Sequence, residues 1–349
     1  MQQETPPEGA DTPSPPKQTK PDWFHRWIMY GLFPSRRKMS WALAPARWMQ
    51  QLKLDRLAEA TGLTKLLPER LRRMQEQLPR LGKRLPALPN FLPAKGERRA
   101  TVGLFLGCVA DGMFRQVHWA TARVLQENGC DVVIPQSQAC CGAIHYHSGA
   151  SAPAVELMKE NAAAFDTSKL DAIVVNVAGC GSMLKDYSHI AEEIAVDQNL
   201  NVESFVNKVR DISEFLIELG AIQPAGKLSA VVAYQDACHL QHAQQIRQQP
   251  RDLLAMIPGV KLKPVAESEL CCGAAGSYNL TQPEMADRLG KRKTQHLLDT
   301  SPDVIVSANA GCSLQLQAQL KSLGKSVPVL HPMELLDLSY RNLTLNDLN

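Results

Sequence analysis

The chain has 349 residues, enough for two ordinary domains with sizeable cores, and its 44% hydrophobic content is that of a globular protein. The net charge of +3 is unevenly spread: residues 1–99 hold 19 Lys and Arg against 9 Asp and Glu, and residues 100–349 hold 19 against 26. The sequence has no run of 18 apolar residues and no basic, apolar and small-residue leader. This argues against membrane spanning and export and predicts a cytoplasmic chain, in which nine cysteines serve as metal ligands or redox groups rather than disulfides.

Residues 1–21, with Thr5-Pro6-Pro7 and Pro13-Ser14-Pro15-Pro16 amid scattered charge, cannot bury enough apolar surface to offset chain entropy and are expected to form a disordered tail. Residues 22–99 read as a basic, aromatic-rich helical segment and linker. Trp23, Trp27, Trp41 and Trp48, four of the five tryptophans, alternate with Arg26, Arg36, Arg37, Lys38 and Arg47. Indoles favour interfaces and cations meet negative charge, so the pattern suits a partner subunit or a peripheral contact with the inner-membrane surface. Helices packed on the protein's own domains would show the same texture. No stacking module or recognition motif accompanies the charge, so no nucleic-acid partner is expected. Short amphipathic helices follow at 52–61 and 68–77, then a proline-broken linker at 85–95.

Residues 100–227 form a first module. A buried strand at 101–107 delivers Cys108, a helix spans 113–128, and a strand at 131–134 leads to Cys140-Cys141-Gly142 in a loop. A helix at 153–165 and a strand at 171–177 lead to Ala178-Gly179-Cys180 and another helix. Residues 228–345 spell the same order: strand 229–236 before Cys238, a helix near 242–256 that Pro250 should kink, and Cys271-Cys272-Gly273 after the segment 261–265. Then come helix 283–298, strand 303–308 and Ala310-Gly311-Cys312. Equivalent cysteines lie 130, 131, 131 and 132 residues apart, so eight of the nine belong to a duplicated set. Alternating strands and helices predict a parallel α/β architecture in each module.

All the repeated cysteines fall at or beside the carboxyl ends of predicted strands, where open α/β sheets bind ligands. Cys180 and Cys312 also sit near helix starts, which favour thiolate. Gly142 and Gly273 permit the turn that lets a vicinal pair serve one site. Four cysteines per module match a four-thiolate iron–sulfur cluster or a zinc site, and vicinal pairs also permit thiol–disulfide chemistry. The ferredoxin spacing and the close C-x2-C pairs of structural zinc are both absent.

Cys-Cys-Gly-Ala at 140–143 and 271–274, with Asn176-Val-Ala-Gly-Cys-Gly-Ser-Met-Leu-Lys-Asp186 and Asp236-Ala-Cys-His-Leu-Gln-His-Ala243, resembles the duplicated cysteine-rich CCG family. That family includes glycolate oxidase iron–sulfur subunits and, more distantly, the cysteine-rich subunit of heterodisulfide reductase and a lactate-utilisation protein. The resemblance spans about residues 22–345. It implies two CCG modules, iron–sulfur clusters of 4Fe-4S type, one or two in number, on Cys108, Cys140, Cys141, Cys180, Cys238, Cys271, Cys272 and Cys312, and a flavin-containing glycolate oxidase subunit as partner. No cysteine precedes Cys108, so the family's usual amino-terminal ferredoxin domain is not expected in this sequence; the chain is either a shortened homologue or works with a separate ferredoxin-type protein. The C-x-x-C ending of the heterodisulfide reductase module is also missing, Met183 and Gln315 standing at its last position, which implies four-ligand sites.

His145, His147, His239 and His242 flank the cysteines and are candidate cofactor-binding groups, as ligands or as hydrogen-bonding neighbours. His118 and His331 read as core or surface residues, and Cys130, without a counterpart in the repeat, as structural. Lys185, Lys291, Arg292 and Lys293 read as a solvated helix face. No phosphate loop, G-x-G-x-x-G or Ser-His-Asp arrangement marks an independent flavin or nucleotide site.

Overall fold

The computed structural model describes residues 23–82, 84–193 and 201–347. The tail at 1–21 lies outside them. Strands β1 (Phe91–Leu92), β2 (Ala100–Phe105), β3 (Cys130–Val133), β4 (Ala172–Val175) and β5 (Val209–Asp211) form one sheet in the order β1-β3-β2-β4-β5. Strands β6 (Ala230–Gln235), β7 (Val260–Lys263), β8 (Val304–Ser307) and β9 (Val329–Leu330) form a second, in the order β7-β6-β8-β9. Apart from β1, which runs antiparallel to β3, both sheets are parallel. The repeat is visible in the register, Val102 opposite Ala172 and Val232 opposite Val304.

The central strands β2, β4, β6 and β8 are buried on both faces, as parallel strands covered by helices must be. Val102, Leu104, Val132 and Val174 join Val232, Val304 and Val306 in one core shared by the two sheets, completed by Leu335 and Leu336 of helix Pro332–Tyr340. The opposite face of the first sheet packs Phe105, Ile173 and Val175 against Met158 and Phe165. Gly103 is required there, since a Cβ would lie 2.7 Å from the Phe165 ring.

In each half the outer parallel strand runs into a helix opened by a reciprocal capping box, Asp211 with Glu214 and His331 with Glu334. Arg123 clamps Asp337 through two 2.7 Å bonds, tying the last helix to helix Arg115–Glu127. Among the described residues, no helix is long and apolar enough to cross a membrane.

Besides strands β5 and β9, which carry no sequence expectation, two details differ from the sequence reading. The linker at 85–95 supplies β1, an edge strand too short to leave a periodic signal. The expected kinked helix at 242–256 is instead a π-turn at His239–Ala243, a break, and a new helix Gln249–Ala255 with Pro250 in its first turn. A proline there forfeits no hydrogen bond, so it starts a helix rather than bending one.

The amino-terminal segment forms a π-helical stretch at His25–Leu32 and a helix at Arg36–Gln51, capped by Ser35. One face packs on the chain itself. Phe24 and Met29 contact Leu280, and Met39 reaches so close to Gly112 that a Cβ there would stand 2.7 Å from it. The other face leaves Trp23, Trp27, Trp41 and Trp48 exposed at 54%, 69%, 76% and 59%.

Candidate metal centres

Strands β2 and β4 are neighbours, with Phe105 opposite Val175, so the chain leaves them side by side and brings Cys108 next to Cys180. Gly107, at φ 66°, makes the turn, and a Cβ on it would press the Cys180 sulfur at 3.4 Å. The loop after β3 brings in Cys140 and Cys141, and Gly142 (φ 83°) turns it against Ala154. The sulfurs then form two close pairs, Cys108–Cys140 at 3.2 Å and Cys141–Cys180 at 3.4 Å.

The second half repeats the pairing. Cys272 and Cys312 sulfurs are 3.0 Å apart, and Cys238 and Cys271 lie close enough to move each other's pKa in opposite directions. Gly273 (φ 86°) makes the same turn, where a Cβ would collide with the Ala286 carbonyl.

Hydrogen bonding divides the sulfurs by charge. Bonds from Cys108 and Cys141 hold the Cys140 pKa well below that of an ordinary thiol, while sharing with Cys140 pushes theirs up. Cys271 is lowered in the same way by Cys238 and Cys272, which are raised. Cys312 is lowered by the bond from Cys272 and, further, by Asn309. Gly142 and Gly273 amides point at the lowered sulfurs of Cys140 and Cys271, at 3.5 and 3.4 Å.

Four converging soft donors without a carboxylate among them fit an iron–sulfur centre in their chemistry. Sulfur pairs at 3.0–3.4 Å are tighter than the roughly 3.8 Å edge of a tetrahedral site with metal–sulfur bonds of about 2.3 Å, so metal entry must spread them. Among the described residues no three His, Cys, Asp or Glu side chains are set to hold a single ion.

The histidines divide. Buried His145 stacks on Tyr30 with ring centroids 5.0 Å apart, its pKa lowered by burial against the pull of Cys140. His239 lies half-buried with Nδ1 3.6 Å from the Cys238 sulfur, and its ring stands 6.3 Å from exposed His147. His242 is exposed. His118 and His331 are both buried and meet at Asn176, just past β4: His118 Nδ1 is 3.1 Å from its Nδ2, and His331 Nε2 is 2.9 Å from its carbonyl.

Cys130 is buried in β3, where burial pushes its thiol up to about 12. Lys185 pairs with Glu214 at 2.7 Å. Lys293 departs from the expected solvated face: it is fully buried, although Lys291 and Arg292 beside it are exposed.

Several supporting side chains gave no sequence signal. Asn161 donates to the Cys140 carbonyl at 2.9 Å, and Tyr187 donates to that of Cys141 at 2.9 Å. Asn309 donates to the Cys312 sulfur at 3.2 Å and accepts from the Gly179 amide at 3.3 Å, so it spans both halves. Ala178 N donates to Ala308 O at 3.0 Å on the same seam. A single Asn or Tyr has no period or spacing by which to be noticed; comparing the two repeats position by position would have exposed the Lys293 substitution.

Comparison with known proteins places the repeats in a family. A cysteine-rich CCG domain matches residues 102–185 and again 232–317, and the linker region of the glycolate oxidase iron–sulfur subunit matches 20–78. A probable glycolate oxidase iron–sulfur subunit from Bacillus subtilis is 37% identical over 87% of this chain and 70% of its own length. Lactate utilization protein A of Oceanobacillus iheyensis is 32% identical over 68% of this chain and 96% of its own. A fumarate reductase (CoM/CoB) subunit from Methanothermobacter marburgensis is 32% identical over 68% of this chain and 46% of its own.

Proposed function

The chain belongs to the family of duplicated cysteine-rich CCG proteins that includes the glycolate oxidase iron–sulfur subunit, and from that premise we propose that it is the electron-carrying subunit of a 2-hydroxy-acid oxidoreductase. A flavin-bearing partner would oxidise glycolate or a similar acid, and electrons would pass through this chain towards a membrane acceptor on the cytoplasmic side. The observation that carries the reading is the repeated sulfur pairing at the carboxyl ends of two parallel sheets. We assign Cys108, Cys140, Cys141 and Cys180 to one centre and Cys238, Cys271, Cys272 and Cys312 to another, each of the 4Fe-4S type. Such a cluster, when bound, supplies reversible one-electron storage.

The chain's own residues do the rest. Cys140 and Cys271 offer thiolates, and Gly142 and Gly273 amides stabilise their charge. Asn161 and Tyr187 fix the first cysteine loop, while His145, stacked on Tyr30, and His239, beside the Cys238 sulfur, stand as neighbours rather than ligands. The exposed tryptophans at 23–48 are the proposed contact with the partner or the membrane surface. A separate ferredoxin-type protein is the proposed source of entry clusters. The domain limits at 99/100 and 227/228 are proposed from the repeat.

Anaerobically purified protein should be brown, contain iron and acid-labile sulfide, and give an EPR signal on reduction. Colourless protein with stoichiometric zinc would sink the proposal. A second reading, a thiol–disulfide oxidoreductase, draws on the half-exposed, low-pKa Cys271. In that case Cys272→Ser would abolish thiol-coupled turnover in protein that never held iron.

A further inference from the structure

The halves match closely around the vicinal cysteines but differ in charge at one buried position. Gly142 rests on Ala154 and Gly273 on Ala286, and seven residues beyond these alanines stand Asn161 and Lys293. Both are wholly buried, and both reach back to the loop leading into the cysteine pair. Asn161 is neutral, accepting from Ala139 N at 2.9 Å and donating to Cys140 O at 2.9 Å. Lys293 donates to Ser268 O at 2.7 Å and to Glu267 O at 3.4 Å.

Among the described residues, Lys293 has no carboxylate of its own. Asp236 is taken by Arg251 through bonds of 2.8 and 2.7 Å, and the Glu267 side chain by Arg292 and His296. A buried charge costs several kcal/mol unless an opposite charge compensates it. The groups facing Lys293 are Asp236, already neutralised, and the sulfurs of Cys272, Cys312 and Cys271. Burial pulls its pKa down while these groups hold it up. Beyond Asp236, whose charge Arg251 shares, the anions left to offset the Lys293 charge are the two lowered sulfurs of the second set, Cys271 and Cys312.

We propose that Lys293 is an electrostatic positioning residue that makes the second centre the stronger oxidant of the two, so that electrons run from the first cysteine set to the second. The inference rests on the iron–sulfur reading above. Reduction adds one negative charge to a centre, and a fixed cation in a low-dielectric surround stabilises that added charge. Asn161 supplies no such charge to the first set. The transfer is balanced as one electron lost at the first centre and one gained at the second, with no bond or proton moved; the reduced flavin of the partner is the donor.

The test is an EPR-monitored redox titration of the full chain with iron and sulfide measured on every sample. Cys141→Ser isolates the second centre and Cys272→Ser the first, and the isolated second centre should show the higher midpoint. Lys293→Gln should lower that midpoint by at least tenfold in the one-electron equilibrium constant, about 59 mV. Lys293→Arg should restore it, and the first centre should be unmoved by either. A second midpoint at or below the first, an unchanged midpoint in iron-loaded Lys293→Gln, or only one centre forming would overturn the inference while leaving the iron–sulfur reading standing. If Lys293→Gln holds no iron, the order of the two isolated midpoints decides. Wild-type protein without iron defeats the underlying reading instead.

Discussion

Cys108, Cys140 and Cys141 of the first set are buried, with only Cys180 partly exposed, whereas Cys238 and Cys271 of the second set both reach the surface. The order and register of the parallel strands and the glycine turns after the vicinal pairs are shared by both halves, although Ala237 stands where the first half has Gly107. The difference comes from what lies on top. Tyr30 stacks on His145 beside the first set, and Met39 and Leu43 pack near Val109 and Met113, just past Cys108. Over the second half the same amino-terminal segment packs on Leu280, Asn279 and Asp287 instead, and Cys238 and Cys271 stay partly exposed. Duplication has thus preserved the sulfur geometry and left the surroundings free to diverge, and it is the surroundings that set solvent access and potential.

The largest effects should come from the sulfurs themselves. Cys141→Ser and Cys272→Ser should each remove one centre's iron and sulfide, and the double variant nearly all of it. If either single variant empties both sites, the halves do not load independently and the comparison fails. Next is the polar junction that joins the halves. His331 Nδ1 accepts from Met333 N at 3.1 Å and its Nε2 bonds Asn176 O, so it must be neutral. Burial drops its pKa from 6.5 to about 3. A depressed histidine contributes stability that is intact above pH 6.5 and is lost as pH falls towards 3, on the order of several kcal/mol. Glu334, raised by burial to about 7, runs the other way, its contribution being intact below pH 4.5 and lost as pH rises through 7. In thermal melts from pH 7.5 to 4.5, His331→Gln should shift the slope towards greater relative stability at low pH than in the wild type, because the variant keeps the Glu334 contribution and loses the opposing one. A melt curve of unchanged pH slope in that variant would show that the junction does not depend on neutral His331.

A third prediction concerns the cover. At Gly112→Val the new side chain must displace buried Met39, at a cost of about 1–3 kcal/mol. The first centre should then bleach faster in air while the second keeps its wild-type rate. Equal acceleration of both would mean that the helical cover shields the molecule generally rather than one set.

How much of this was readable beforehand follows the same division. The eight cysteines, the strands feeding them and the glycine turns were legible because they repeat, and repetition at a fixed offset survives divergence. Helix Pro283–Leu298 was legible to the residue because proline marks its start. The supporting side chains were not: Asn161, Tyr187 and Asn309 act through long-range hydrogen bonds that leave no local pattern, and Lys293 among charged neighbours looks like surface. The tryptophans announced an interface, and the helices carrying them do pack on the chain, but through Phe24, Met29, Met39 and Leu43 rather than through the indoles.

Asn309 gives the smallest and most selective of the expected effects. Its amide holds the Cys312 sulfur at 3.2 Å and the Gly179 amide at 3.3 Å, while Val177 occupies the matching place in the first half and can do neither. Asn309→Ala removes one bond to a thiolate and one across the seam, so a stability loss of about 1–2 kcal/mol is expected. A hydrogen bond to sulfur also favours the reduced state, so the second centre's midpoint should fall, by less than in Lys293→Gln because a neutral donor is exchanged rather than a full charge. The first centre should hold its midpoint even though its Gly179 loses a partner. If instead the first midpoint moves as far as the second, Asn309 couples the two centres rather than tuning one, and the asymmetry between them is smaller than their burial implies.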